Sequence, residues 1–445
     1  MQIGSTRAMG DPVSAVRASN DSGTPAVGSW TEGLIMRGGL LALGAWYKLG
    51  VGLAASVTLG DVVAMLTIPL WLSVLHRYQG ARLLLGLGVL AAVSGLALAD
   101  AARPDHIVSL GISALAVMLL VGVIFGACFV VWARERLTFA QIGIWYGLGL
   151  IAGCASQHSL TLTTAGWKGG LAVAAGVFGL AVAGRARWRG TAEIAVLVML
   201  AGLSSTLDSR SYFATFLLTL MVIIWQLRPR VLSRRGSWIW TAVFMGGLSI
   251  GIYQLGSALL VNGYLGRAAQ ARSIQQIDTA GSLILGGRPE LGASGALFMH
   301  RPTGFGAGVI ANAHDVAVAK AGLVKLNYEP NNGYVDRFMF GGQIELHSTM
   351  GDLWANFGIA GLAVCTFIAF LVVRGLAQSV VVRSGGALLV FLCWYTIWNL
   401  LFSPFLSAAP SMLLVLGLVL TARTGAHRSA LLGATRRHRP GLTAT

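Results

Sequence analysis

Long apolar stretches joined by short polar connections make up most of this chain, and one long polar interval interrupts the series. Stretches of roughly 18 to 25 apolar residues, the length a helix needs to cross a bilayer core of about 30 Å, occupy approximately 33–54, 57–75, 83–99, 107–132, 140–157, 167–184, 191–207, 211–227, 237–261, 350–373, 385–402 and 405–422. This pattern predicts an all-α polytopic membrane protein of about twelve transmembrane helices, with one large external loop between the ninth and tenth spans. Residues 1–32, rich in Ser, Gly, Asp and Thr, lack the apolar run of a cleaved signal peptide and read as a disordered leader. Residues 33–262 then hold nine spans, 263–349 the loop and 350–422 three more spans, and 423–445 form a basic tail suited to anionic lipid headgroups. Loops as long as 263–349 are functional or disordered. This one keeps Tyr328, Tyr334, Phe338 and Phe340 among several apolar runs, so order is expected of it.

Composition supports the membrane class: 55% of the 445 residues are hydrophobic and only 11% charged, against about a quarter charged in a soluble domain. The net charge of +16 is unevenly placed. Every second connection is basic, at 76–82, 134–136, 185–189, 228–235, 374–383 and in the tail, whereas acidic and basic residues balance across 263–352. Cytoplasmic connections carry the excess Arg and Lys, so both termini are expected inside the cell and the loop outside, in the cytoplasmic (inner) membrane. Dispersal over short connections argues against a nucleic-acid surface, which gathers its charge on one face. Cys128, Cys154, Cys365 and Cys393 lie within apolar spans, far apart in sequence, and read as reduced core residues.

Candidate chemistry gathers near the outer ends of the spans. Ser204, Ser205, Asp208, Ser209, Arg210 and Ser211 form a polar knot between two apolar stretches, and ionisable residues at membrane depth are rare and commonly functional. Arg210 is either paired with Asp208 in an interfacial turn or part of an anion site, since guanidinium matches phosphate oxygens two at a time. Arg288, beside Glu290, is either a solvated loop arginine or part of such a site. Gly304, Gly306 and Gly308 follow Pro302 without the Lys-Ser or Lys-Thr of a phosphate loop, and read as a turn that lets backbones approach closely. His347 precedes the tenth span, with Ser348 as that helix's N-cap; its imidazole is either structural or able to take a proton from a hydroxyl. His300, His314, Asp315, Glu345 and His347 share the loop without metal-ligand spacing, and no Gly-x-Ser-x-Gly is present.

The ordered set Ser209-Arg210, Gly287-Arg288, Gly304-Phe305-Gly306, then His347-Ser348, Asp352, Asn356 and Gly358-Ile359-Ala360-Gly361 resembles the O-antigen ligase and polysaccharide polymerase superfamily over roughly 190–375. Members typically carry His-Asn where this chain has His347-Ser348, and often an acidic residue at the place of Asn356. The resemblance implies a membrane glycosyltransferase that works without metal or other cofactor. Such an enzyme moves a glycan from a polyprenyl-diphosphate carrier to a hydroxyl of a glycan or lipid acceptor at the outer membrane face, and membrane lipids surround it. It implies that Arg210 and Arg288 stabilise the diphosphate leaving group, that His347 deprotonates or orients the acceptor, and that Asp208, Ser209, Gly304, Gly306, Ser348 and Asp352 support them. A ligase and a polymerase of lipid-linked repeats share this chemistry. An exporter of lipid-linked glycan would carry polar residues at mid-membrane in several spans, and few are present.

Overall fold

The computed structural model describes residues 27–49, 57–227, 238–263, 267–382 and 386–423. Leader residues 1–26, the 228–235 connection and the tail beyond Arg423 lie outside the described residues. The described chain is helical almost throughout. In order come α1 (Val27–Ala45), α2 (Leu59–Leu66), α3 (Ile68–Val74), α4 (Ala81–Ala102), α5 (Leu110–Ala133), α6 (Phe139–Ser156), and α7 (Thr164–Gly166), which continues through a π turn into α8 (Ala172–Ala183). Next are α9 (Arg189–Thr206), α10 (Arg210–Gln226) and α11 (Trp238–Val261). The interval folds into α12 (Arg267–Ala280), α13 (Leu283–Gly287), α14 (Glu290–His300) and α15 (Ala313–Val324). Then α16 (Thr349–Val382), α17 (Ala387–Phe402) and α18 (Phe405–Val419) complete the described chain.

Among the described residues six helices are long and apolar enough to cross a membrane: α4, α5, α6, Thr164–Ala183, Ile239–Ala258 within α11, and α16. A seventh arises if α2 and the helix after it count as one span bent by 64°. Pro69 explains that bend, since it has no N–H for the helix ladder and its ring clashes with the carbonyl four residues back. The apolar helices α10, α17 and α18 are shorter. α1 starts at Val27, so the last residues of the expected leader are helical, and it stops at Ala45, short of the expected 54.

Two cores hold the molecule. The larger lies within the bundle, where Trp71, Phe129, Tyr146, Trp167, Phe216 and Phe391 are fully buried. Between α10 and α17 runs an aromatic ladder: Phe216 stacks on Phe391 at 4.9 Å and Tyr212 on Tyr395 at 5.4 Å. The smaller core lies under the interval, where Ala293, Leu297, Val309, Leu323, Val335 and Met339 pack with Phe305 against Ala99 of α4 and Trp354 of α16. The interval is thus a folded cap seated on the helix ends. Glycine makes the seat possible. A Cβ on Gly304 would lie 2.5 Å from the Trp354 carbonyl, and one on Gly306 2.3 Å from the Ala99 nitrogen; both residues have positive φ, +89° and +116°. The expected close turn is therefore present. Opposite it, α16 breaks at Gly358 (φ +63°). Ala355 oxygen there accepts from the Phe305 and Gly306 nitrogens at 2.9 Å, and the Ser94 hydroxyl donates to Phe357 oxygen at 3.1 Å. Backbone acceptors beside the break are thereby satisfied, as buried carbonyls require.

Among the described residues the two sets of connections separate to opposite ends. At one end Arg77 pairs with Glu135 (2.9 Å), Arg134 donates to the carbonyls of Gly417 and Leu420 (2.7 and 2.6 Å), and Arg374 donates to Gln79 (3.0 Å). This is the basic end. At the other, β1 (Ile107–Val108) pairs antiparallel with β2 (Val309–Ile310), His106 contacts Asp315, and Ser348 and Thr349 donate to the carbonyls of Leu400 and Ser403. That is the loop end.

Candidate active site

Arg288 sits where α13 meets α14. Ser282 caps α13 by accepting from Leu285 nitrogen (3.1 Å), and Arg288 follows its last turn. Pro289 then starts α14, whose first turn carries Glu290, favourably placed against the helix dipole. The Glu290 carboxylate is buried, with Oε1 3.2 Å from Arg288 Nη1 and Oε2 accepting from the Tyr334 hydroxyl at 3.3 Å. Arg288 also leans toward the rings of Trp398 and Phe402, each 5.9 Å from its Cζ, at the outer limit of cation–π attraction. One ion-pair contact occupies one of its five donors; the fork is otherwise open.

Tyr334 connects this arginine to His347. The two rings lie 6.0 Å apart. Burial, and then the charge of Glu290, hold the Tyr334 phenol well above its ordinary pKa, so it remains a donor. His347 has φ +54°, a backbone state that costs a non-glycine residue about 1–3 kcal/mol and persists only where the surroundings enforce it. The enforcing contacts are visible. Asp352 accepts from Leu346 nitrogen (2.7 Å) and from Phe405 nitrogen (2.8 Å), and Ser348 accepts from Gly351 nitrogen (3.3 Å) as the expected N-cap while donating to Leu400 oxygen (3.1 Å). The Nδ1 of His347 faces Glu345 oxygen at 3.3 Å. A carbonyl can only accept, so in the neutral ring Nδ1 carries the proton and Nε2 the lone pair.

Arg210 opens α10, and its side chain has no ion pair or hydrogen bond among the described residues. Asp208, with φ +49°, pairs instead with Arg272 of α12 at 3.2 Å, so the Asp208–Arg210 pair considered from sequence does not form. Ser209 is buried with an unpartnered hydroxyl. Tyr212 meets Tyr395 hydroxyl to hydroxyl at 2.9 Å. At 1.5 Å rise per residue, Arg210 on α10 and Trp398 on antiparallel α17 therefore stand at nearly the same height, and Arg288 reaches over Trp398. α12 meets Asp208 through Arg272, and α13 folds back on α12, with Gly286 against Gln276. Arg210, Arg288 and His347 thus share the loop end; contacts link Arg288 to His347 through Glu290 and Tyr334, and among the described residues none joins either to Arg210.

Sequence reasoning passed over Glu290 as a solvated partner and gave no signal for Tyr334 or Arg272. It also missed a second cluster. His106 lies buried with Nε2 2.8 Å from Asp315 and Nδ1 2.9 Å from Asp105, and Arg301 stands 3.6 Å from Asp105. This latch joins the α4–α5 connection to the cap. His300 and His314 face each other at 4.7 Å, and no group of three His, Cys, Asp or Glu among the described residues could hold a metal ion. A cavity of about 310 Å³ opens beside the segment leading to His347, lined by Arg337, Phe338, Gln343 and Glu345 with two glycines. Compared with known proteins, the chain matches no family model, no curated protein and no solved structure.

Proposed function

We propose that this protein is a membrane glycan ligase that transfers a saccharide from a polyprenyl-diphosphate donor to an acceptor hydroxyl at the outer face of the cytoplasmic membrane. The observation that carries the reading is the contact series Arg288–Glu290–Tyr334–His347 at the loop end. It puts an open guanidinium and a histidine with a bare Nε2 on either side of one tyrosine, beside the helix end that presents Arg210.

In the reaction, the acceptor oxygen forms a bond to the anomeric carbon as that carbon's bond to the diphosphate oxygen breaks. The hydroxyl proton passes to Nε2 of His347, and polyprenyl diphosphate leaves with the electron pair. Charge grows on the diphosphate in the transition state, where fixed guanidinium groups in a partly dry site are most effective. Arg288 and Arg210 supply them. Glu290 and Tyr334 keep Arg288 from swinging away, and Asp352 and Ser348 hold His347 in its strained turn. A polymerase of lipid-linked repeats would use the same groups with another acceptor. The excess of arginine at the basic end supports a cytoplasmic position for that end, with both termini inside and the cap outside.

Purified protein in detergent, given a lipid-linked donor and a glycan or lipid acceptor, is expected to yield product in the presence of a chelator. No transfer to any acceptor would refute the reading, and loss on chelation would refute its metal independence. A reporter fused after Ala293 is expected to be active only where external fusions are; cytoplasmic activity would reverse the orientation.

A further inference from the structure

At the basic end, away from His347, a cavity of about 520 Å³ lies among α6, α8, α9 and α17, within the ~300–1,000 Å³ of small-ligand pockets. Its lining has two halves. Leu180, Leu388 and Leu389 form an apolar wall, and Arg185 and Arg189 form a cationic rim. Arg185 is exposed, and its side chain has no partner among the described residues. Arg189 uses Nε on Glu193 (3.1 Å), while the same carboxylate oxygen accepts from Ala387 nitrogen (3.2 Å) and so caps the start of α17. The acid is thus occupied by the protein, and two arginines against one glutamate leave the rim cationic. α6 also begins at this cavity, with its N-terminal dipole adding positive potential.

From this geometry we propose that the cavity binds the headgroup of an anionic phospholipid in the leaflet at the basic end. A soluble anion has no use for the leucine wall, whereas a lipid places its phosphate at the arginines and its glycerol and first methylenes against that wall. The cavity also lies where α6, α9 and α17 begin, at the ends of the helices rather than along them. Trp188, 75% exposed and next to Arg189, is the kind of residue that anchors at the membrane–water interface. The inference does not depend on the glycan-transfer reading.

The test is a native mass spectrometry titration of the detergent-solubilised full chain with phosphatidylglycerol, with phosphatidylcholine and inorganic phosphate as the other arms. Phosphatidylglycerol is expected to bind more tightly than phosphatidylcholine and not to be displaced by inorganic phosphate. Arg185→Gln is expected to weaken it about fivefold, the worth of one interfacial cation. Arg187→Gln, exposed on the same turn but outside the cavity, is expected to leave it unchanged. Ala140→Phe, which fills the cavity without changing charge, is expected to weaken it as well, with thermal unfolding as the check on folding. Equal affinity for the two lipids, displacement by phosphate, or equal losses from Arg185→Gln and Arg187→Gln would each overturn the proposal, the last by showing only diffuse attraction.

Discussion

Two groups of arginines, one at each end of this molecule, are used in opposite ways. At the basic end Arg134, Arg77 and Arg374, which lie outside the lining of the cavity that Arg185 rims, are committed to the fold: Arg134 closes the turn after α5 onto the last carbonyls of α18, and Arg77 and Arg374 tie neighbouring connections together. At the loop end Arg210 has no partner among the described residues and Arg288 has one ion-pair contact. A cation whose donors are already satisfied stabilises structure, while one held in place with donors open can receive an anion. Residue type and charge are the same at both ends. Only the surroundings distinguish a staple from a binding group.

The largest expected effect separates chemistry from scaffold. His347→Ala is expected to cut glycan transfer about 100- to 10,000-fold, the range for a lost general base, with expression and membrane insertion intact. His300→Ala and His314→Ala on the same cap are expected to retain most activity. Full activity of the His347 variant would end its assignment as base.

Next is the arginine contrast itself. Arg210→Lys and Arg288→Lys keep the charge but lose the planar fork, and transfer is expected to fall about 100-fold, as for a lost transition-state donor, at unchanged thermal stability. Arg134→Leu is expected to do the reverse: it costs about 3 kcal/mol of stability by stranding two carbonyls, while each folded molecule keeps its activity. If the two kinds of variant behave alike, the comparison fails.

Gly306→Ala probes the seat of the cap. Its φ of +116° and the 2.3 Å approach to Ala99 nitrogen leave no room for a methyl group, so a loss of about 3 kcal/mol is expected from strain and clash together. The readout is faster proteolysis of the 267–347 region before global unfolding; an unchanged cleavage rate would mean the seat is dispensable.

The smallest effect concerns pH. The hydrogen bond from His106, with Arg301 nearby, holds the Asp105 carboxyl below its ordinary range. A depressed carboxylate stabilises the folded state above its unfolded value and loses that contribution as pH falls through the folded one. The Asp105 contribution to docking of the cap is therefore expected to hold down to about pH 4 and to be lost below that, read as proteolytic sensitivity. Asp105→Asn is expected to flatten the response; a loosening that begins near pH 6 would point to another group.

The sequence by itself determined the membrane class, the helical nature of each apolar stretch, the segregation of arginine to alternate connections, and the glycine turn. These follow from local rules, because burying a peptide backbone in hydrocarbon forces helix and a left-handed backbone selects glycine. Ser348 as an N-cap was legible for the same reason: the cap and the nitrogen it satisfies lie within one turn. Local rules could not show that Asp208 turns to Arg272, that Tyr334 and Glu290 join Arg288 to His347, or that Asp352 ties the His347 segment to the start of α18. Asp208 with Arg272, Glu290 with Tyr334 and Asp352 with Phe405 each span more than forty positions, and the nearer pair Arg288 with Glu290 looked like a solvated surface pair until burial was known. Nor did the interval's composition reveal that it seats on α4 and a break in α16. Contacts of that kind are decided when helices pack and bring distant polar groups to one end, so only the tertiary structure decided which arginines are satisfied and which remain open.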